Sequence, residues 1–318
     1  MPASRSASDT QTTSALAALS TALADAAEHA GRSTVAIHAR RRIPSSGVLW
    51  RPDVVVTASH TIHRDEQITV LLASGGPVNA TLVGRDTGTD LAVLRLAEGT
   101  TGEPATLAAD DALRVGALVL AIGRPGEQIT ASLGAISALG GEWRTWQGGR
   151  IDRFVRLDLT IYDGFSGGPL VSATGSVLGI NSSALARGLP VTIPTATVNR
   201  IADELLSTGR VRRGYAGVAV QPIRLPERIV RAHQLPTSVG LMIADVEPGG
   251  PAEAAGLLIG DVLLTVNGAP LRDPMDLLAS LSAPPERLPL EVRVLRAGAP
   301  ITVSLTPGER PARAERPT

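Results

Sequence analysis

Short apolar runs, separated by Gly, Pro and Asp, follow one another from Val35 to about Ile180. Runs of this length with turn residues between them are typical of β-strands. About ten such runs without an intervening helical period predict an all-β barrel or sandwich. They read TVAIHA, DVVVTAS, QITVLLA, NATLVGR, LAVLRL, ALVLAIG, ITASLGAISAL, DRFVRLDLTI, GPLVSA and SVLGIN.

Helical patterns flank this region on both sides. Residues 1–13 are polar and predict disorder, and the alanine-rich residues 14–30 predict a weak amphipathic helix that lies on the following domain. The stretch TATVNRIADELLSTGRV places apolar residues on one face and predicts a second helix, which ends at Gly209.

A second unit begins at Gly214. Asp273 is a helix cap, with Pro274 in the first helical position, and LPLEVRVLRAGAPITVSLTP alternates as a β-hairpin. Strands with two short helices predict a small mixed domain. The predicted organisation is a disordered or weakly helical segment over 1–32, one domain over 33–208, a second over 214–308 and a flexible tail over 309–318.

The composition narrows the possible chemistry. The 318 residues have a formal net charge of zero and contain no cysteine, which excludes a thiol nucleophile, disulfides and cysteine metal sites. The sequence has no extended cluster of basic residues of the kind that binds nucleic acid, so it predicts no nucleic-acid partner. No segment has the length of a membrane span or the apolar core of a signal peptide. The sequence as given therefore predicts a cytoplasmic protein, with a periplasmic protein as the alternative if a leader is missing.

The stretch YDGFSGGPL, residues 162–170, places one serine between glycines in a tight turn. Serine needs a base to become a nucleophile, usually a histidine oriented by a carboxylate. His60 closes the run DVVVTASH, and Asp90 opens the next clear strand. Taken singly, His60 is equally well explained as a histidine without a catalytic role, and Asp90 as an ordinary turn aspartate. The chain order His60, Asp90, Ser166 is that of the chymotrypsin type.

A metal site is the rival interpretation of His60 and His63. Zincins need a Glu beside the first histidine and a four-residue helical spacing, and HTIH has neither. We therefore predict no metal and no organic cofactor.

The blocks VVVTASH, TDLAVLRL and DGFSGGPL resemble the three signature blocks of trypsin-like serine proteases. The stretch from GINSSALARG to GYAGV resembles the HtrA (DegP-like) family in particular, and the resemblance covers about residues 33–308. It implies a mostly β protein: a chymotrypsin-like double β-barrel followed by a small mixed α/β PDZ domain. It also implies His60 as general base, Asp90 as its orienting carboxylate and Ser166 as nucleophile.

By the same resemblance, the N–H groups of Gly164 and Ser166 form the oxyanion hole. The chain departs from the family at Phe165, where Asn or Asp is usual, and at Tyr162-Asp163, where the usual Asn-Arg takes part in activation. Residues 1–49 also lack the aromatic side chains that commonly seal the family's trimer, so a homotrimer is left open.

The specificity pocket is placed by the trypsin-like pattern. Thr160 stands at its base and is followed by Ile161, with Asn181, Ser182 and Ser183 as the wall. The absence of a carboxylate there predicts cleavage after small or medium apolar residues. The alternative is that these are plain core residues of the strands.

In the second unit, Tyr215, Ala216, Gly217 and Val218 resemble the carboxylate-binding loop of PDZ domains. Its backbone amides would hold a peptide C-terminus while the peptide adds a strand to a sheet edge. Leu277 and Leu278 are the candidate groove contacts on the facing helix, and filling the core is the alternative for either one.

The sequence thus predicts an HtrA-type serine endopeptidase that cleaves unfolded or misfolded proteins, with a PDZ domain that binds peptide C-termini. Its predicted partners are unfolded polypeptides and peptide C-termini. The chief alternative is a weakly catalytic, protease-like scaffold or chaperone that binds misfolded protein. A peptide-binding adaptor is a third, which would make the three site residues a coincidence.

Overall fold

The computed structural model describes residues 7–109, 112–186, 189–235, 237–281 and 289–309. The first six residues and the predicted tail from residue 310 lie outside the described residues. The chain divides into two units, Met1–Val211 and Arg212–Thr318.

The first barrel of unit 1 closes six antiparallel strands in the order β1-β2-β3-β6-β5-β4. Its inward side chains form an aliphatic core that includes Ile37, Val55 and Leu94. The strands are β1 (Thr34–His38), β2 (Ser45–Arg51), β3 (Val54–Ala58), β4 (Ile68–Leu71), β5 (Pro77–Asp86) and β6 (Leu91–Leu96).

The second barrel closes in the order β11-β14-β13-β12-β7-β8 around Ile136, Leu157 and Leu170. A two-stranded hairpin, β9 with β10, projects from the connection between β8 and β11. The strands are β7 (Leu118–Gly123), β8 (Thr130–Leu139), β9 (Trp143–Arg144), β10 (Arg150–Ile151), β11 (Val155–Asp158), β12 (Pro169–Ser172), β13 (Val177–Ser182) and β14 (Val191–Pro194).

A third cluster packs the two barrels against each other and against two helices, α1 (Ala7–Ser33) and α2 (Thr195–Thr208). It buries the outward faces of several strands, so β3 is buried at all five positions. Burial on both faces explains why these strands are near-continuous apolar runs and not alternating ones.

The predicted helices are present, with one difference. α2 ends at Gly209, whose φ of 72° gives the left-handed C-cap that glycine favours. α1 begins at Ala7, seven residues before the predicted start at residue 14. Packing of Ala26 and Ala30 already holds the helix, so adding further turns at its N-terminal end costs little free energy. Residues 7–13 are therefore helical although their polar composition predicts disorder.

Unit 2 is a sheet in the order β16-β17-β18-β20-β21, with α5 against its core. Asp273 Oδ1 accepts the N–H groups of Met275 and Asp276 at 2.7 and 3.1 Å, which confirms the predicted cap. The elements are β15 (Gly214–Tyr215), β16 (Val218–Arg224), α3 (Glu227–Ala232), β17 (Val239–Val246), α4 (Pro251–Ala254), β18 (Val262–Val266), β19 (Ala269–Pro270), α5 (Pro274–Leu281), β20 (Leu290–Arg296), β21 (Ala299–Leu305) and β22 (Gly308–Glu309).

The predicted hairpin of unit 2 is β20 with β21, in register from Leu290 opposite Leu305 to Arg296 opposite Ala299. Both turn residues, Ala297 and Gly298, have positive φ, as a two-residue hairpin turn requires. The prediction of a mostly β fold with two barrels and a small mixed domain is confirmed. None of the described helices has the length and apolarity to cross a membrane.

Candidate active site

Two paired strands of the first barrel bring His60 and Asp90 to one end of that barrel. His60 lies in a single 3-10 turn, Ser59–Thr61, directly after β3, and Asp90 directly precedes β6. Because Ala58 pairs with Leu91, the chain segments that leave these two positions are neighbours. The backbone N–H of Ser59 donates to the carbonyl of Asp90 at 3.0 Å.

The Asp90 carboxylate holds His60 at two points. His60 Nδ1 lies 2.8 Å from Asp90 Oδ2, and the His60 backbone N–H donates to Oδ1 at 2.9 Å. A carboxylate only accepts hydrogen bonds, so Nδ1 carries the proton and Nε2 is the proton acceptor of the ring. Ser182 Oγ also donates to Oδ2, at 2.6 Å. Asp90 is only 4% exposed.

Ser166 lies in the turn between β11 and β12 and is 7% exposed. Its Oγ lies 3.0 Å from Ser183 Oγ, and among the described residues no hydrogen bond joins Ser166 to His60. Ser182 binds Asp90, and the next residue binds Ser166. One of two adjacent serines at the end of β13 therefore bonds the Asp90 carboxylate and the other the Ser166 hydroxyl, so Asp90 and Ser166 both lie next to the same two-residue segment.

The turn around Ser166 directs two amide groups without using them internally. Gly164 and Gly167 have φ of 90° and 89°, which glycine adopts without strain. The Gly167 N–H donates to Asn181 O at 2.9 Å, which ties the turn to β13. The backbone N–H groups of Gly164 and Ser166 have no acceptor among the described residues. Two unpaired donors in one turn can bind a developing negative charge.

The bulky Phe165 fits because residue 123, against which its ring packs, is a glycine without a side chain. Its ring is buried to 1% exposure and lies against Gly123, where a Cβ atom would come within 2.5 Å of the ring. Tyr162 packs its ring edge on Phe165 with centroids 5.4 Å apart. The ring of Phe165 thus packs against a glycine 42 positions earlier in the chain. No local sequence pattern predicts this contact.

The five predicted pocket residues do not behave alike. Thr160 is exposed and Ile161 half-buried. Asn181 is fully buried and accepts the Thr192 hydroxyl at 2.9 Å. Ser182 Oγ is directed at Asp90 and Ser183 Oγ at Ser166, so these two hydroxyls contact the acid and the serine of the site.

A cavity of about 230 Å³ lies beside His60. The β9–β10 hairpin supplies part of its lining, because Thr145 Oγ1 donates to Gly88 O at 2.7 Å and holds the hairpin next to the Asp90 loop. Trp146 is 67% exposed at this edge. The sequence analysis missed this tryptophan, since no local signal shows that the hairpin reaches the histidine. The lining includes His60, Ile62, Arg85, Trp146, Gln147 and Leu185.

His63, the alternative metal ligand, is an exposed residue. Within the described ranges, no group of three or more His, Asp or Glu side chains is placed to hold a metal ion.

In unit 2, the predicted peptide-binding loop precedes β16. Gly217 has a φ of 74°, and its carbonyl accepts the Glu247 N–H at 2.8 Å. Ala216 is buried, and its carbonyl accepts the Ala252 N–H, also at 2.8 Å. The Tyr215 hydroxyl donates to Glu247. These contacts hold the whole loop, Tyr215 to Val218, at one end of the sheet.

The two candidate groove leucines differ. Leu277 is buried in the core of unit 2, so it fills the core and does not line a groove. Leu278 is half-buried on the same helix. In the described part of the sheet, β16 pairs only with β17, so its other edge is open.

Two family models match the chain. Residues 45–180 match the trypsin-like peptidase domain, and residues 242–294 match the PDZ domain. The first match runs from the start of β2 into β13, and the second lies within unit 2.

Curated relatives are named as serine endoproteases. A probable periplasmic serine endoprotease, DegP-like, of Rhizobium meliloti is 33% identical over 285 residues, which is 87% of this chain and 56% of the relative. The protein of the same name from Halomonas elongata is 34% identical over 86% of this chain and 57% of its own length. The chain thus spans little more than half the length of these relatives.

Solved structures match over nearly their whole length. The serine endoprotease from Yersinia pestis is 30% identical with a TM-score of 0.71, and the match covers 91% of this chain and 98% of that one. The HtrA-type protease AlgW with a tripeptide is 31% identical with a TM-score of 0.69, at the same two coverages of 91% and 98%.

The names of the relatives also correct one prediction. Both curated relatives are described as periplasmic, so the prediction of a cytoplasmic protein is wrong. That prediction rested only on the apolar content of the N-terminal residues.

Two closed barrels, the group formed by His60, Asp90 and Ser166, and a following PDZ unit agree with matches that cover almost all of the solved relatives. The chain belongs to the HtrA family of trypsin-like serine endoproteases that carry a PDZ domain.

Proposed function

We propose that this protein is a serine endopeptidase that cleaves unfolded polypeptides through an acyl-enzyme. One observation carries the proposal: the Asp90 carboxylate holds His60 Nδ1 at 2.8 Å, beside a turn with a nearly buried serine and two unpaired amides. Acyl transfer requires a base, a nucleophile and donors for an oxyanion, and this arrangement supports assigning those roles to these residues.

In the proposed reaction, His60 Nε2 takes the proton of Ser166 Oγ while Oγ attacks the peptide carbonyl. The carbonyl oxygen becomes an oxyanion and accepts the N–H groups of Gly164 and Ser166. The imidazolium, stabilised by Asp90, returns its proton to the leaving amine, and the C–N bond breaks. Water, activated by the same histidine, then hydrolyses the ester and regenerates Ser166.

The Ser166 hydroxyl has to change its partner before this reaction starts. It has one proton to donate, and in the structure it lies within hydrogen-bond distance of Ser183 and of no acceptor on His60. A rotation about χ1 brings a serine hydroxyl from one staggered position to another. Catalytic hydrogen bonds of this kind commonly tighten only when substrate is bound.

The substrate sites indicate apolar recognition. Thr160 at the base of the pocket offers no carboxylate to a basic side chain, so we propose cleavage after small or medium apolar residues. The cavity beside His60, with Trp146 and Leu185 on its lining, accommodates a further apolar side chain of the substrate. Both sites suit extended, unfolded chains, because apolar side chains are buried in folded ones.

We propose that the second unit, residues 214–308, binds peptide C-termini. The open edge of β16 can pair with an added strand, and the loop from Tyr215 to Val218 lies at the start of that edge. Peptide complexes of the HtrA-type protease AlgW support this role. With the protease domain over residues 33–208 and the relatives' periplasmic location, the proposal describes quality control of misfolded periplasmic proteins.

The hydrogen bond between Ser166 and Ser183 favours one second candidate. If that bond persists when polypeptide binds, the protein is a protease-like scaffold that holds misfolded chains and cleaves them poorly. The unpaired amides of Gly164 and Ser166 and the good fit of Phe165 against Gly123 favour the enzyme.

Covalent labelling tests the proposed function directly. We expect a fluorophosphonate probe to label the wild-type protein at Ser166 alone, because only an activated serine attacks such a phosphorus. Peptide mapping by mass spectrometry locates the label, and Ser182 and Ser183 serve as internal controls. A folded protein that takes up no label contradicts the enzyme and supports the scaffold, and a label at another serine contradicts Ser166 as the nucleophile.

A glycine pair tests the proposed peptide site. We expect Gly217→Ala to weaken binding of a free-carboxylate decapeptide with apolar C-terminal residues by about 10-fold, because a side chain at positive φ displaces the loop amides. Gly268→Ala adds the same strain, at φ 80°, on the β18–β19 turn and should leave binding unchanged. Fluorescence anisotropy measures both. Equal binding of the C-terminal amide form of the peptide argues against a carboxylate site.

A further inference from the structure

Ser46, on β2, touches the Ser166 turn at two carbonyls although it lies 120 positions before the nucleophile. Its Oγ donates to Gly164 O at 2.6 Å, and its backbone N–H donates to Ser166 O at 3.3 Å. The side chain is fully buried. These two contacts restrain the residues whose N–H groups are the proposed oxyanion donors.

The Gly164 contact restrains the peptide unit that follows the Gly164 N–H. A peptide group is planar, so a held carbonyl fixes the orientation of that whole peptide unit. The Phe165–Ser166 unit is held already, because Phe165 O accepts the Gly168 N–H at 2.8 Å. Gly164 O belongs to the Gly164–Phe165 unit, which the Ser46 hydroxyl holds at its carbonyl and Tyr162 O holds at the Phe165 N–H, at 3.0 Å. The Gly164 N–H belongs to the preceding peptide unit, which can turn against this fixed unit only about the φ and ψ of Gly164.

The Ser46 hydroxyl is in turn oriented by Arg124. The Arg124 backbone N–H donates to Ser46 Oγ at 2.8 Å, so the hydroxyl accepts one hydrogen bond and gives its proton to Gly164. Pro125, the next residue, lies against Gly164, since a Cβ atom on Gly164 would come within 2.8 Å of Pro125 Cβ. The loop after β7 therefore contacts the turn directly through Pro125 and indirectly through the bond from Arg124 to Ser46.

The Arg124 side chain fastens this loop to the end of α1. Arg124 is 8% exposed, and its guanidinium donates to Gly31 O at 2.8 Å and to Thr34 O at 2.7 Å. Gly31 is in the last turn of α1, where unpaired carbonyls carry a partial negative charge that favours a cation. Within the described residues Arg124 has no carboxylate partner, and burial lowers its pKa from the ordinary value.

We infer that Ser46 and Arg124 are positioning residues that connect the C-terminal end of α1 to the oxyanion turn and keep Gly164 in its donor orientation. The inference rests on the proposed endopeptidase function. Neither side chain touches substrate or the reacting atoms. Their effect is on the rate of acyl transfer and not on the binding of substrate.

The neighbouring serine provides a matched control. Ser45 is on the same strand and equally buried, but its Oγ has no hydrogen-bond partner among the described residues. We expect Ser46→Ala to lower kcat on a peptide substrate by about 10- to 100-fold with KM within about 2-fold, somewhat less than the loss of an oxyanion donor itself. Ser45→Ala should match the wild type in both constants.

A transition-state analogue separates positioning from general damage. A peptide boronate places an oxygen in the oxyanion hole, so its affinity should fall in Ser46→Ala by the same factor as kcat. Circular dichroism checks folding. If Ser46→Ala does not fold, Ser46→Cys, which keeps a side chain of similar size but donates weakly, is measured in its place and should show the same loss.

The arginine is tested in the same assay. Arg124→Met should lower kcat by about 10-fold, Arg124→Lys should restore part of it, and Arg32→Met, an exposed arginine of the last turn of α1, should change nothing. The inference is overturned if Ser46→Ala equals Ser45→Ala, if kcat rises, or if KM rises as much as kcat falls. A wild type that neither cleaves nor takes up the fluorophosphonate overturns the proposed function instead.

Discussion

Replacing Ser166 with alanine is expected to reduce the hydrolysis of unfolded casein by about 10⁶-fold in kcat, the loss typical when an acyl-transfer nucleophile is removed. The structure leaves no substitute nucleophile in the same place. Ser183 Oγ is 3.0 Å from Ser166 Oγ, but Ser183 follows Ser182 at the end of β13, outside the turn of unpaired amides. Casein digestion measured by gel and by released peptides gives the rate.

Ser172→Ala is the matched control for this experiment. It removes a hydroxyl from the second barrel on β12, where Ser172 Oγ bonds only within its own surface turn to Thr174 and the following backbone. It should cleave like the wild type. If Ser166→Ala still cleaves at the wild-type rate, Ser166 is not the nucleophile. If neither the wild type nor Ser166→Ala cleaves casein, but both suppress client aggregation equally, the scaffold replaces the enzyme as the interpretation.

Asp90→Asn is expected to lower kcat by about 10⁴-fold while the fold stays intact. Asparagine preserves the shape and tolerates the positive φ of 57° at this position. Its amide nitrogen can donate to His60 Nδ1, and the ring then carries its proton on Nε2, the atom that has to accept one. Single-turnover acylation with an ester substrate measures the chemical step.

Ser182→Ala provides the comparison for Asp90→Asn. It removes one of the three hydrogen bonds to the carboxylate, the 2.6 Å donor to Oδ2, and leaves both His60 contacts in place. The loss should be about 10-fold, because one hydrogen bond to a charged group is worth roughly 1.5 kcal/mol. Equal losses in the two variants would show that Asp90 acts through general stability and not through the tautomer of His60.

The departures from the family pattern have different structural consequences. Phe165 is compatible with the turn because Gly123 leaves room for its ring, and Tyr162 packs against it in a T-shaped pair. Tyr162-Asp163 removes the usual arginine of the activation loop. In this chain, Ser46, the loop after β7 and Asn181 on β13 all contact the turn. These contacts join segments far apart in sequence, so no local motif indicates them.

Much of the fold is predictable because its signals are local. The β-branched runs predict the strands, Gly209 predicts the end of α2, and Asp273 predicts the start of α5. The boundary of α1 is the exception, since packing of Ala26 and Ala30 extends a helix into residues whose composition predicts disorder. Leu277 shows the same limit, because helical periodicity does not distinguish a core leucine from a groove leucine.

The sequence by itself determined the strands, the order of the three site residues and the family, because strand propensity, turn chemistry and short motifs are properties of neighbouring residues. Only the tertiary structure decided how distant segments meet. Ser182 bonds Asp90 across 92 positions, and Ser46 bonds Gly164 across 118. Barrel closure creates these contacts by pairing and packing strands that are far apart in the chain, and a hydrogen bond between two such segments depends on distances that no single segment encodes.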